Sequence, residues 1–166
     1  EYARQEQQER QTIANLNPLI TELTDARNTN QQFNPSAEDR QSIHLELNPL
    51  PNIPLRKVAL KRVLDNLIEN AFRYGSNHIE ITTYFDKKQN RVVCKVRDFG
   101  QGIPEDSLEN VFRPFSQGDS ARNSGGSGLG LAITKRIIEM HGGQINLRNH
   151  PEEGLIAEFW LPSEGL

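Results

Sequence analysis

From residue 55 to residue 74 the apolar side chains recur at helical spacing: Leu60, Val63, Leu64, Leu67, Ile68 and Ala71. An amphipathic helix of that length has to lay its apolar stripe against a core, so the rest of the chain must supply one. Inside the segment stands Asn66-Leu67-Ile68-Glu69-Asn70-Ala71-Phe72-Arg73-Tyr74. Each residue advances a helix by about 100°, so Asn66, Asn70 and Arg73 fall within about 60° of one another. Val63, Leu67 and Leu60 follow about 20° to 80° beyond Asn70, and the polar trio therefore borders the core face. Asn is a poor helix former because its amide competes for the backbone. Two of them in mid-helix are either bonded to neighbouring backbone or kept for a ligand. The second role would use the carboxamide oxygen of Asn70 for a hard cation and the Arg73 guanidinium for phosphate.

At 166 residues the chain suits one compact domain whose core needs no disulfide. Its 19 basic and 22 acidic residues leave a net charge of −3, which excludes a basic field for nucleic acid or an anionic membrane. The lone cysteine, Cys94, excludes an internal disulfide framework and suits a reducing compartment. No apolar run approaches the length of a bilayer span. The opening, Glu1-Tyr2-Ala3-Arg4-Gln5-Glu6-Gln7-Gln8-Glu9-Arg10, is charged, glutamine-rich and almost without apolar side chains. Residues 1–14 are therefore expected to be the end of an upstream helix or a linker, in a piece of a longer protein, with the domain proper at 15–166.

Asn17-Pro18 predicts a helix start, running to about Arg27 on Leu19, Ile20 and Leu23. Residues 28–41 are polar and loop-like. Ser42 to Leu47 alternates as a strand, and three prolines (Pro49, Pro51, Pro54) separate it from the central helix. His78–Phe85 and Arg91–Asp98 alternate on either side of a turn at Asp86–Asn90, which is a hairpin. A short helix is expected over 104–111, opened by Pro104, then a mobile loop at about 113–128, rich in Gly, Ser and Asn. Leu129 to Met140 reads as a helix burying Leu129, Ala132, Ile133, Ile137 and Met140, stopped at His141-Gly142-Gly143. Two closing strands, Gln144–Arg148 and Leu155–Leu161, meet at a turn around Pro151–Gly154. The fold class is α+β, a two-layer sandwich with a mixed, mostly antiparallel sheet and helices on one face.

Three further stretches carry chemistry. Asp98-Phe99-Gly100-Gln101-Gly102-Ile103-Pro104 follows a strand directly. Its aspartate can cap a plain turn or accept a hydrogen bond from an exocyclic amine, with glycines that let backbone approach a ligand. Gly125-Gly126-Ser127-Gly128-Leu129-Gly130-Leu131 runs into a helix start. It is either a flexible linker or a cradle of backbone N–H groups for phosphates; no Lys-Ser/Thr follows, so it is not a Walker loop. Phe112-Arg113-Pro114-Phe115 marks the near end of the loop between them.

In this order, Asn-x3-Asn-Ala-x-Arg-Tyr, Asp-x-Gly-x-Gly, Phe-x-Pro-Phe and Gly-x-Gly-x-Gly resemble the nucleotide-binding domain of sensor histidine kinases, the family shared with gyrase, the heat-shock chaperone ATPases of the same fold and MutL. The resemblance runs from about Leu16 to Pro162 and looks closest to the EnvZ-type osmosensing kinases. It implies ATP and Mg²⁺ as cofactors, with Asn70 as the metal ligand and Asp98 reading the adenine amino group beside Gly100, Gly102 and Ile103. It implies Arg73 and Arg122 at phosphate, with Asn70 forming the catalytic set. Asn66, Tyr74, Phe115, Gly126, Ser127, Gly128, Leu129, Gly130 and Leu131 would complete the nucleotide contacts, and the loop at 113–128 would be an ATP lid.

One departure matters. Where hydrolysing relatives carry a water-activating glutamate four residues before the metal Asn, this chain has Asn66, whose amide is no base. Glu69 points about 100° away from Asn70 on a helix. Phosphoryl transfer to a histidine is thus expected over rapid hydrolysis. His44, His78, His141 and His150 lack the acidic-x-x-x-Pro context of an acceptor, so the acceptor is expected on a dimerising helical hairpin upstream. The partners so implied are that dimerisation domain and a response regulator, with no nucleic acid, and with a membrane reached only through upstream segments. The location implied is the cytoplasmic portion of a bacterial inner-membrane sensor. The other readings are a clamp-type hydrolysing ATPase, a serine kinase of the anti-sigma type, and a nucleotide-binding domain without chemistry.

Overall fold

The computed structural model describes residues 9–31, 40–113 and 130–164. Among these residues seven strands and four helices follow one another in this order: β1 (Thr12–Ala14), α1 (Leu16–Gln31), β2 (Ser42–Leu47), β3 (Ile53–Leu55), α2 (Lys57–Tyr74), β4 (His78–Asp86), β5 (Arg91–Asp98), α3 (Glu105–Leu108), α4 (Gly130–Met140), β6 (Gln144–Asn149) and β7 (Leu155–Pro162). Five of the strands form one sheet in the order β2-β4-β5-β7-β6. Only the β2–β4 pair is parallel; the rest are antiparallel, as the α+β reading requires.

Alternation explains which face is covered. In the β4–β5–β7 register Ile81 pairs with Val96 and Thr83 with Cys94, while Cys94 and Val96 meet Phe159 and Ala157 on the other side. These side chains, with Ile79 and Val92, all lie within the core. Lys95, Arg97 and Glu158 take the opposite parity and stay on the half-exposed outer face. Helices α1, α2 and α4 supply the second layer: Leu16 and Ile20, the stripe Ala59, Leu60, Val63, Leu64, Leu67, Ile68, Ala71 and Phe72, and Ile137 with Ile138. Fully burying one such aliphatic side chain is worth about 1.5–3 kcal/mol, so α2, with eight buried residues, contributes the largest share of the layer.

Several boundaries differ from the expectation. The first helix begins at Leu16 because Asn15, two residues before Asn17, is the cap: its Oδ1 accepts from Asn17 N at 3.0 Å. Asn17 instead bridges to the sheet, donating to Asn48 O and accepting from the Thr83 hydroxyl. That helix continues to Gln31. The short helix spans only Glu105–Leu108, with Pro104 just before it. On α4 the fully covered residues are Thr134, Ile137 and Ile138, so the stripe is rotated from the expected Ala132, Ile133 and Met140, which are only half-buried.

Two strands were hidden. Thr12–Ala14 lies inside the stretch assigned to an upstream helix or linker, yet it pairs antiparallel with Ile53–Leu55. Isolated pairing of three residues leaves no periodicity to read, and Pro51 and Pro54 disguise β3. Just before β1, the Glu9 carboxylate accepts from Val58 N and Ala59 N at 2.9 and 3.1 Å, and Arg56 Nε donates to Glu9 O at 2.8 Å. A carboxylate on those orphan N–H groups complements the helix dipole of α2. His141 closes the same corner. Its Nε2 accepts from Arg56 N at 3.0 Å, which leaves the proton on Nδ1 for Ile137 O at 2.8 Å. Desolvation pushes the imidazole below its ordinary pKa, so the buried ring stays neutral.

Candidate functional site

The alternation that sends Val92, Cys94 and Val96 toward the helices also sends Asp98, the last residue of β5, to the same side. A carboxylate only 3% exposed on a core face needs bonded partners. Asp98 Oδ1 accepts from Gly100 N at 3.0 Å and from Leu155 N at 3.1 Å. Both bonds land on Oδ1, which leaves Oδ2 as the oxygen that can accept from a ligand.

Opposite lies the last third of α2. Asn70 and Asp98 share the wall of a shallow depression whose apolar sides come from Leu67, Val96, Leu147 and Leu155. Ala71, Ala157 and Leu131 complete it. A greasy slot with one acceptor and one carboxamide suits a flat heterocycle bearing an exocyclic amine, with a polar group extending past the amide.

The remaining predicted residues divide. Asn66 is tied to the start of α4, its Nδ2 donating to Gly130 O and Thr134 Oγ1, each at 3.3 Å. That bond uses the amide donor and holds α4 against α2 at the edge of the slot. Gly100 packs on Gly75, where a Cβ would come within 2.5 Å of the Gly75 Cα. Gly102 has φ +77°, a left-handed backbone that favours glycine. Ile103 is buried and bonded through both backbone atoms to the Asn149 side chain. Arg73 is exposed in the last turn of α2, and Tyr74 is half-buried beside it. Phe115, Arg122, Gly126, Ser127, Gly128 and Leu129, with most of the lid expected at 113–128, lie outside the described residues. Phe112 is within them, and its ring has Lys135 Nζ 5.7 Å from its centre.

Glu69 is held away from the slot, bonded to Arg27 Nη2 of α1 at 2.8 Å. The histidines have local roles: besides His141, the His78 Nδ1 lies 2.7 Å from Ser42 Oγ, and His150 Nδ1 accepts from Glu152 N. Sequence reasoning missed Gly75, Asn149, Gly154 and Leu155. Gly75 directly follows the Arg73-Tyr74 pair, and a glycine at a helix end beside a ligand motif was a usable signal. The other three come from the β6–β7 turn, and nothing in their spacing announces a contact with Asp98 or Ile103.

Residues 56–165 match the family of histidine kinase-, DNA gyrase B- and HSP90-like ATPases. The chain belongs to that family. It is 40% identical over 145 residues to the alginate biosynthesis sensor protein KinB of Pseudomonas aeruginosa, a match that covers 86% of this chain and 23% of KinB. Among solved structures, the catalytic domain of histidine kinase ThkA superposes with a TM-score of 0.77 at 27% identity, covering 93% of this chain and 96% of that one. ThkA is also solved in complex with response regulator protein TrrA. The histidine kinase domain of the E. coli osmosensor EnvZ matches with a TM-score of 0.66 at 32% identity, covering 92% of this chain and 89% of that chain. The fold is thus that of histidine kinase ATP-binding domains. Since the chain spans 23% of the length of KinB, the activity of the longer protein is a matter of proposal.

Proposed function

We propose that this chain is the ATP-binding catalytic domain of a two-component sensor histidine kinase. It would place the ATP γ-phosphate in line with an imidazole nitrogen of a histidine on a separate dimerisation domain, leaving ADP, for relay to a response regulator. The observation that carries the reading is the shared slot of Asp98 and Asn70, a buried acceptor and a helix carboxamide across an apolar cleft. Asp98 Oδ2 would accept from the adenine amino group. Asn70, on the wall of the slot, would be the residue to hold Mg²⁺, through its amide oxygen. The Asn70 carboxamide oxygen is a hard donor of the kind Mg²⁺ takes, and ATP phosphates and water would supply the remaining oxygens. When bound, that ion would neutralise charge on the phosphate chain.

Arg73 and Arg122 would meet phosphate, and Gly126, Gly128 and Gly130 would offer backbone N–H groups to it. The protein's contribution to phosphoryl transfer is positioning and charge neutralisation, and this set supplies both. With Asn66 bonded to Gly130 and Glu69 bonded to Arg27, neither is placed as a base for water, which favours transfer over hydrolysis. The complex of ThkA with the response regulator TrrA favours a regulator as the downstream partner. The relatives KinB and CpxA are sensor proteins, and on that ground this chain would be the cytoplasmic portion of a bacterial inner-membrane sensor; among the described residues no helix is long and apolar enough to cross a membrane.

The test is a calorimetric titration of ATP, with and without Mg²⁺, on the parent and on Asp98→Asn. Losing a charge-assisted hydrogen bond should weaken ATP by about 1–3 kcal/mol and spare GTP. Equal ATP and GTP affinities in the parent and the variant would remove Asp98 from the site. A brisk ATPase rate dependent on Asp98, without transfer to an added histidine hairpin, would move the hydrolysing reading to the front.

A further inference from the structure

The loop after β5 carries the residues placed at the base, and a loop has to be held in shape before it can read anything. Asp98–Pro104 has no regular secondary structure beyond Asp98. Its conformation is nonetheless fixed at one point by a single side chain. Asn149, the last residue of β6, accepts from Ile103 N with Oδ1 at 2.9 Å and donates from Nδ2 to Ile103 O at 2.7 Å. A carboxamide that bonds both backbone groups of one residue imitates a β-bridge partner and leaves that residue no rotational freedom. The same Oδ1 lies where a Cβ on Gly102 would strike it, so glycine at 102 and asparagine at 149 are coupled through space. In the β6–β7 register Asn149 pairs with Leu155, the residue whose N–H holds Asp98 Oδ1. One rung of the hairpin therefore grips both ends of the loop.

We propose that Asn149 is a positioning residue for nucleotide selection: through Ile103 it sets the backbone of the Asp98–Pro104 loop so that Asp98 distinguishes an amino-bearing purine from an oxo-bearing one. This rests on the adenine-nucleotide reading above and goes beyond it, since Asn149 touches the loop from behind and lines no part of the slot. Aspartate at 149 would keep the acceptor for Ile103 N and set a carboxylate oxygen against Ile103 O; alanine would remove both bonds.

The experiment uses the chain as it stands. ATP and GTP affinities, thermal unfolding and amide hydrogen exchange are measured on the parent, Asn149→Ala and Asn149→Asp. Two net hydrogen bonds are at stake, so ATP affinity should fall about 10-fold in Asn149→Ala, with a smaller loss for GTP and faster exchange at Ile103. Asn149→Asp should behave as Asn149→Ala does, because half of the pair has turned repulsive. A merely structural asparagine would lower the unfolding temperature and leave the ATP-to-GTP ratio unchanged, and that result overturns the proposal. If the parent binds ATP and both variants bind it equally well, the role of Asn149 falls while the nucleotide reading stands. If the parent binds no nucleotide at all, both fall together, whatever Ile103 exchange shows.

Discussion

Adding one methyl group at Gly75 should disable the site from behind. Gly75 follows α2 directly, and a Cβ built there would overlap the Asp98 Cβ and come within 2.5 Å of both Ala71 O and Asp98 Cγ. Ordinary contact begins at 3.4 Å, so these atoms must yield by about 0.9 Å. Ala71 O cannot move freely, because it accepts the Gly75 N–H at 3.0 Å and belongs to the helix backbone. Asp98 is therefore the partner that shifts, and with it the oxygen held by Gly100 N and Leu155 N. Losing the alignment of a charged acceptor is worth about 1.5–3 kcal/mol, or about 10- to 100-fold in affinity. Overpacking itself should cost stability by about 1–3 kcal/mol, which leaves a core of this size folded. Calorimetric titration of ATP into Gly75→Ala reads the first effect, and the Gly100 and Leu155 amide resonances report whether Asp98 has moved. A variant that unfolds cooperatively, shifts neither amide and binds ATP within about twofold of the parent would refute the argument, since twofold is far below the loss of one such bond.

Three other outcomes follow from residues already placed. Asn70→Ala should abolish Mg²⁺-dependent transfer to an added histidine hairpin while leaving the unfolding temperature equal or higher, because Ala is the better helix former; normal transfer would remove Asn70 from its role. Burial holds the His141 imidazole neutral, below its ordinary pKa of 6.5, so its contribution to stability is complete above that value and is lost as pH falls through the folded value. Thermal scans from about pH 8 to about pH 5 should show a steeper decline in the parent than in His141→Gln, and parallel curves would show that the ring does not drive it. Cys94 is fully buried and its thiol is pushed up to about 12 by desolvation, so iodoacetamide should label it only as fast as the chain unfolds; mass spectrometry of native and denatured samples settles that.

What could be read from the sequence was whatever repeats. The stripe of α2 and the alternation of β4, β5 and β7 are periodic, and they put Asn70 beside the core face of a helix and Asp98 at the end of a strand. The slot's polar pair was legible for the same reason: an Asn in mid-helix and an Asp on the apolar parity of a strand each break a local preference. The β1–β3 ribbon was not, because three-residue strands carry no pattern and prolines mask one of them. The grip of Asn149 on Ile103 was not legible either, since it spans 46 residues and depends on a β6–β7 register that alternation leaves open by two residues. Asn15 displaced Asn17 as the helix cap because Asn17 found partners in Asn48 and Thr83, contacts fixed by tertiary packing.

Strand β7 comes late in the chain yet sits inside the sheet, between β5 and β6. Order along the sequence and order in space are thus opposed. A nascent chain that has emerged only through β5 presents the open hydrogen-bonding edge of Arg91–Asp98 to whatever it meets, with Phe159 and Ala157 not yet beside Cys94 and Val96. The edge closes when residues 155–162 arrive, and the same event delivers Leu155 N to Asp98 and Leu147, Leu155 and Ala157 to the slot. The slot is therefore completed only when β7 has paired, and nucleotide binding there, as proposed above, would report that β5, β7 and β6 are in register.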